Sequence, residues 1–186
     1  MDEARPDNRT GLPNVTLRHV GMYVTDIEAV IGFYTGVLGF TVSDRGRFRG
    51  EEIAFLTRDP TEHHEIVVMS GRPAGSFGTI NQISFRADTL ADLRATHELV
   101  VRAGIEKIDP VDHGNALSVY IWDPEDNRLE IYIPTPWYVA QPNRTPLDFS
   151  LTDDEIMAAN EVKCRADPSF RTAADWQAAF PGRIGL

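Results

Sequence analysis

The chain has 186 residues, of which 42% are hydrophobic and 25% charged, a composition typical of a globular domain with a buried core. Its 18 basic and 28 acidic residues give a net charge of −10, which argues against a nucleic-acid partner. The longest apolar runs fall short of the roughly 18 residues that span a bilayer, and no hydrophobic signal segment opens the sequence, so we expect a cytoplasmic protein without membrane contact.

The first folding unit is predicted over residues 15–70. It opens with the alternating strand VTLRHVGMYV, followed by Asp26 as the N-cap of an amphipathic helix that ends near Gly39. Three short strand candidates follow this helix. The order of elements is therefore β-α-β-β-β.

The second unit, over residues 79–133, repeats the same order of signals. The strand TINQISFRAD precedes a helix with a capping-box pattern at Thr89 and Asp92, and Gly104 ends that helix. Three strand candidates follow, with the turn DPEDN between the last two. The repetition predicts an internally duplicated fold.

We therefore predict an α+β fold in which two βαβββ modules share a curved mixed sheet, because a single four-stranded unit buries only one face well. A proline-rich arm with a helix candidate after Thr152 completes the chain, and Trp137 and Tyr138 either close over a pocket or pin this arm. The predicted organisation is a leader (1–14), a central domain (15–135) made of modules 15–70 and 79–133, and a C-terminal arm (136–186).

Strand alternation places His19, Gln82 and Glu130 on one polar face, opposite the face that packs on the helices. An imidazole, an amide oxygen and a carboxylate from three strands are together suited to a divalent metal with open positions for substrate. The repeat by itself would also allow Asn81 in place of Gln82. Alternatively, His19 is an ordinary strand histidine, and Glu130 is neutralised by Arg128 or Arg18.

These patterns resemble the vicinal oxygen chelate superfamily, which is built from paired βαβββ modules. The similar segments are HVGMYVTDIEAVIGFYTGVLGF, FLTRDPTEHHEIVVMS, INQISFRADTLADL and HGNALSVYIWDPEDNRLEIYIPTPWY. Within the superfamily, the sequence is most similar to type I extradiol dioxygenases, which cleave catechols with iron(II) and O₂. This resemblance implies an aromatic substrate and O₂ as partners.

The resemblance also implies roles for individual residues. His19 and Glu130 match metal ligands, and His64 in HHEIVV matches the acid/base histidine near the oxygen site. Tyr120 matches the tyrosine that binds substrate, and His113 in HGN matches the histidine near a substrate hydroxyl.

The second metal histidine of the dioxygenases is replaced here by Gln82. Glutamine is a ligand in glyoxalase I, a lyase of the same superfamily that uses zinc or nickel. Iron(II) is therefore the first expectation for the metal, with zinc, nickel or manganese as alternatives. Two other functions stay open, a glyoxalase-like lyase or epimerase and a non-catalytic resistance-type binding protein, and a homo-oligomer is compatible with each of them.

Overall fold

The computed structural model describes residues 16–179, so the predicted leader and the last residues of the predicted arm lie outside the described part of the chain. The first module has the predicted β-α-β-β-β order. Asp26 caps its helix by accepting a hydrogen bond from the Ala29 N–H at 3.0 Å. The elements are β1 (Val20–Tyr23), α1 (Ile27–Gly36), β2 (Thr41–Phe48), β3 (Glu51–Thr57) and β4 (Ile66–Met69).

The second module repeats this order, beginning one residue after Gln82. Thr89 and Asp92 form the predicted capping box, in which each side chain bonds the backbone N–H of the other residue. Gly104 follows the helix at a φ of 75°, a conformation that favours glycine. The elements are β5 (Ile83–Arg86), α2 (Leu90–Arg102), β6 (Ile108–Asp112), β7 (Ala116–Trp122) and β8 (Arg128–Pro134).

The strands of the two modules form two sheets, and this differs from the shared sheet expected from the sequence. The first sheet has the order β1-β4-β3-β2, and in the second module the order is β6-β7-β8-β5. In each sheet the first strand of the module pairs in parallel with the last, and the other pairs within the module are antiparallel. Within residues 16–179 no strand pairing joins the modules. The α+β class with paired modules is confirmed.

The modules are joined by side-chain contacts and not by backbone hydrogen bonds between strands. Glu125, in the turn between β7 and β8, accepts hydrogen bonds from the backbone N–H of Thr25 at 2.7 Å and of Asp26 at 3.0 Å. Arg72, from the segment between the modules, forms an ion pair with the same carboxylate at 2.9 Å. A single apolar core continues across both modules, with Phe40 and Phe85 in edge contact at 5.7 Å.

The arm packs against the second module. Its first strand, β9 (Trp137–Tyr138), pairs with β11 (Arg171–Thr172), and β10 (Thr145–Pro146) adds an edge to the second sheet beside β6. Tyr138 stacks on Trp176 at 5.2 Å and Trp137 contacts Phe170 at 5.8 Å, so these aromatic residues pin the arm to itself. The helices are α3 (Asp153–Ala166), which begins at the predicted Thr152 cap, and α4 (Ala173–Ala178).

No helix within residues 16–179 combines the length and the apolar composition that a bilayer-spanning segment needs.

Candidate functional site

One face of the second sheet collects polar side chains from three neighbouring strands. Tyr120 on β7, Glu130 on β8 and Ser84 on β5 occupy directly opposed register positions. The opposite faces of these strands carry the buried core residues Ile121, Leu129 and Ile131. Because side chains alternate along a strand, burial of the apolar set fixes the polar set on the other side.

Glu130 lies at the centre of this polar face and is only 8% exposed. Its Oε1 accepts hydrogen bonds from the hydroxyls of Ser118 and Tyr120, each at 2.8 Å. Its Oε2 accepts bonds from the Gln82 amide at 2.6 Å and the Ser84 hydroxyl at 2.7 Å. A buried carboxylate is costly unless it is hydrogen-bonded, and these four donors meet that requirement.

Tyr120 and His113 extend this network away from Glu130. The Tyr120 hydroxyl lies 2.9 Å from Nε2 of His113, whose Nδ1 lies 2.7 Å from the backbone oxygen of Asn143. A carbonyl only accepts, so Nδ1 of His113 carries the proton. Burial, together with the hydrogen bond to Glu130, raises the pKa of Tyr120 to about 12, and its phenol is therefore protonated at neutral pH.

Gln82 is held between Glu130 and Arg128. Its amide nitrogen donates to Glu130, and its Oε1 accepts from Nη2 of Arg128 at 3.0 Å. The same guanidinium group also donates to Oδ1 of Asn81 at 2.8 Å and lies 5.0 Å from the centre of the Tyr120 ring. Arg128 therefore does not pair directly with Glu130, as one alternative from the sequence had it, because Gln82 stands between the two charges.

The remaining predicted site residues lie together on the first module. His19 is exposed and immediately precedes β1, and its ring lies 4.4 Å from the ring of His64. His64 also contacts Phe55 at 5.2 Å, and its Nδ1 lies 2.9 Å from Nδ1 of His63. Desolvation and the neighbouring rings of His19 and His63 lower the pKa of His64. Neutral imidazole is consequently the favoured form of His64 at neutral pH.

The structure thus divides the predicted site into two groups. Gln82, Glu130, Tyr120 and His113 form one hydrogen-bonded network, whereas His19 and His64 form a ring contact. Across the part of the chain that the structure describes, no hydrogen bond, ion pair or ring contact links the groups.

As a third ligand beside His19 and Glu130, Gln82 does not fit this arrangement. Imidazole and carboxylate are suitable ligands for a divalent metal, but the Gln82 oxygen faces a guanidinium cation. Among residues 16–179, no three His, Cys, Asp or Glu side chains are grouped to hold a metal. The metal-ligand roles of these three residues stay predictions.

Three members of the network were not singled out from the sequence: Ser84, Ser118 and Asn143. Strand alternation places the two serines on the polar face, and this was the available signal. Asn143 contributes a backbone oxygen from the arm, for which side-chain patterns carry no information.

An open cleft of about 1120 Å³ runs along the unpaired edge of β5. It is bordered by Phe40 and Arg58 from the first module and by Ser84 and Arg86 from β5. Ser84 also bonds Glu130, so the cleft meets the network at this serine.

Comparison with protein families agrees with the duplicated βαβββ architecture. Residues 16–131 match the Glyoxalase/Bleomycin resistance protein/Dioxygenase superfamily. The chain belongs to this superfamily. The resemblance proposed from the sequence is therefore confirmed, and the match ends before the arm begins.

Among characterised proteins, the chain is similar to biphenyl-2,3-diol 1,2-dioxygenase 2 of Rhodococcus globerulus, with 31% identity over 121 residues. The alignment covers 62% of this chain and 60% of the relative, so the chain spans about three fifths of that protein's length. The alignment supports the superfamily assignment, but it does not by itself transfer the activity of the whole relative to this chain.

Two solved structures show the same fold. A glyoxylase/bleomycin resistance protein/dioxygenase domain from Frankia sp. EAN1pec is 22% identical with a TM-score of 0.57, over 66% of this chain and 93% of that one. The fosfomycin resistance protein FosX from Listeria monocytogenes, complexed with Mn(II) and sulfate, is 15% identical with a TM-score of 0.51, over 67% and 94%. These likenesses concern the fold alone, and one fold can carry different activities.

Proposed function

We propose that this chain is an extradiol-type ring-cleaving dioxygenase that acts on a catechol-type aromatic diol with O₂ in the cytoplasm. The observation that carries the proposal is the hydrogen-bonded row His113–Tyr120–Glu130 on the polar face of the second sheet. The similarity of the chain to biphenyl-2,3-diol 1,2-dioxygenase 2 of Rhodococcus globerulus also supports the dioxygenase proposal.

Tyr120 and His113 have the chemistry needed to bind a substrate hydroxyl. Tyr120 offers a protonated phenol, and because Nδ1 of His113 donates to Asn143, Nε2 is the ring nitrogen that can accept a proton. A substrate hydroxyl that displaced the contact between Tyr120 and His113 would donate to Nε2 of His113, while the single phenol proton of Tyr120 stays in its hydrogen bond to Glu130. Together they would orient the diol and hold the proton that leaves its hydroxyl at Nε2 of His113.

The proposal includes a divalent metal, iron(II) ahead of zinc, nickel or manganese. When bound, such a metal supplies Lewis-acid activation of the diol and a site for O₂. His19 and Glu130 are the residues of this chain with suitable ligand atoms. His64, next to His19, is the proposed acid/base group of this site.

A second candidate function is the binding of a small molecule without catalysis. The Gln82 oxygen bonds Arg128 and is not free for a metal, and this observation favours the second candidate. The same observation weakens the lyase alternative, because that reading required Gln82 as a ligand.

Metal analysis combined with oxygen uptake separates the candidates. The purified full chain, loaded anaerobically with iron(II), is mixed with catechol, 3-methylcatechol and 2,3-dihydroxybiphenyl. We expect oxygen consumption and a yellow ring-fission product, both lost in Glu130→Gln and retained in the surface variant Glu98→Gln. Diol binding measured by calorimetry without oxygen uptake would instead establish the binding protein.

A further inference from the structure

Arg128 occupies a special position in the duplicated fold. In the first module, Val20 pairs with Ile66, so His19 stands next to Glu65. In the second module, Ile83 pairs with Leu129 in the same parallel register, and Gln82 therefore stands next to Arg128. The residue beside the second predicted ligand is thus a cation, where the first module has an anion.

The orientation of the Gln82 amide follows from its two neighbours. A guanidinium group can only donate hydrogen bonds, so the Gln82 oxygen must face Arg128. An ionised carboxylate can only accept, so the Gln82 nitrogen must face Glu130. Rotating the amide by 180° would exchange two charge-assisted hydrogen bonds for two repulsive contacts.

Arg128 is itself held in place by several contacts. Its Nη2 bonds Asn81 as well as Gln82, and its guanidinium group lies over the Tyr120 ring. Its Nε is buried and lacks a hydrogen-bond partner within residues 16–179. The positive charge is therefore fixed beside Glu130, where it would repel a divalent cation brought to the Gln82 oxygen.

We propose that Arg128 locks Gln82 as a hydrogen-bond donor to Glu130, so that Gln82 is a positioning residue and not a metal ligand. Gln82 and Arg128 act as one unit. Introducing histidine at position 82 alone would place an imidazole nitrogen against a guanidinium group and would not create a metal site. This inference concerns the site of the proposed function but does not require ring cleavage.

Zinc binding to the full chain tests the inference without any activity assay. Affinity for Zn²⁺ is measured by chelator competition for the unchanged chain, Gln82→His, Arg128→Met and the double variant. We expect Gln82→His alone to change affinity by less than about threefold, and the double variant to gain about 100-fold, because the two residues are coupled. Arg86→Met, which removes an exposed arginine from the neighbouring strand, is the matched control and should leave affinity within about twofold.

The proposal would be overturned if Gln82→His alone gained as much zinc affinity as the double variant. A second measurement uses the unchanged chain, whose folding is not in question. The side-chain amide signal of Gln82, assigned by its absence in Gln82→Met, should stay unshifted on addition of Zn²⁺ and should move in Arg128→Met. A zinc-induced shift of that signal in the unchanged chain, confirmed with paramagnetic Mn²⁺, would show that Gln82 is a ligand and would reject the inference.

Both results are independent of the dioxygenase proposal. A chain that consumes no oxygen can still show the coupled zinc response of the four variants. An active dioxygenase can equally lack this coupled zinc response. The role of Arg128 and the dioxygenase proposal are therefore tested separately.

Discussion

The two modules have the same strand order and the same pairing register, yet their polar faces differ in chemistry. In the second module, Glu130 pairs with Ser84 on one side and Tyr120 on the other. At the corresponding place in the first module, Val67 pairs with Gly21 and Phe55. Glu130 with its hydroxyl donors in the second module thus corresponds to Val67 with its apolar neighbour Phe55 in the first module.

This difference shows how duplication separates scaffold from site. Both modules bury the alternate residues of their strands against a helix, which fixes the fold whatever the other face carries. The first module uses its free face for a histidine pair beside Phe55, and the second builds a closed hydrogen-bond network. The comparison predicts that substitutions on the polar face of the second module alter the chemistry. Substitutions at the joint between the modules, formed by Glu125 with Thr25, Asp26 and Arg72, should instead alter the fold.

The largest effect is expected at the joint, in Glu125→Ala. Glu125 bonds the connection between β1 and α1 and pairs with Arg72, and the side chains of Glu125 and Arg72 are 3% and 16% exposed. Removing one partner of a buried ion pair costs about 3–5 kcal/mol of unfolding free energy. Urea denaturation checks this value, with Asp126→Asn as control, because asparagine removes the charge of an exposed ion pair and tolerates the φ of 61° at this position. Equal midpoints for the two variants would show that the modules do not depend on this joint.

The next largest effect is expected in Tyr120→Phe, which makes this position resemble Phe55 of the first module. The variant removes the hydroxyl that lies between Glu130 and His113, and we expect kcat/KM for a catechol to fall about 100-fold. Steady-state oxygen uptake measures the effect. Tyr23→Phe, on the exposed face of β1, is the matched control, and an equal loss in both variants would argue against a special role for Tyr120.

The sequence predicted the elements whose signals are local. The helix caps at Asp26, Thr89 and Thr152 are observed as predicted, because each cap is decided by a side chain and a backbone N–H three residues away. Strand alternation placed Glu130 and Tyr120 on one polar face for the same reason. The separation into two sheets was not predictable, because side chains such as Glu125 join the modules where backbone pairing was expected.

The candidate site was predictable only in part. The positions on the polar face follow from the alternation, but the direction in which the Gln82 amide points depends on Arg128, a long side chain whose position is set by tertiary contacts. His19 lies just before β1 and not within it, so its orientation is not fixed by strand pairing. The contact between His113 and Asn143 depends on the arm, beyond the duplicated pattern.

A smaller effect is expected in Asn160→Ala, which loosens the arm beneath His113. Asn160 is 1% exposed and donates to Asp112 Oδ1 at 2.9 Å and to the Gly114 oxygen at 3.1 Å, on both sides of His113. Losing these bonds should cost about 1–3 kcal/mol of stability and lower kcat/KM about 3- to 10-fold through a displaced His113. Thermal unfolding and oxygen uptake of Asn160→Ala are compared with those of Asp154→Ala, a control variant on the same helix. A variant with reduced stability and full activity would assign Asn160 to the fold alone.

The smallest effect concerns the pH dependence of the joint. Burial raises the pKa of Glu125, but hydrogen bonds from Thr25 and Asp26 and the charge of Arg72 outweigh it and hold the pKa below its ordinary value of 4.5. A depressed carboxyl pKa contributes stability above the unfolded-state pKa, and this contribution is lost as pH falls through the folded-state pKa. The difference in unfolding free energy between the unchanged chain and Glu125→Ala should therefore be constant from pH 7 to pH 5 and narrow below pH 4.5. Acidic groups other than Glu125 and its neighbour Asp123 titrate alike in both proteins and cancel in this difference. A gap that widens on acidification would show that Glu125 is not bound as a carboxylate at the joint.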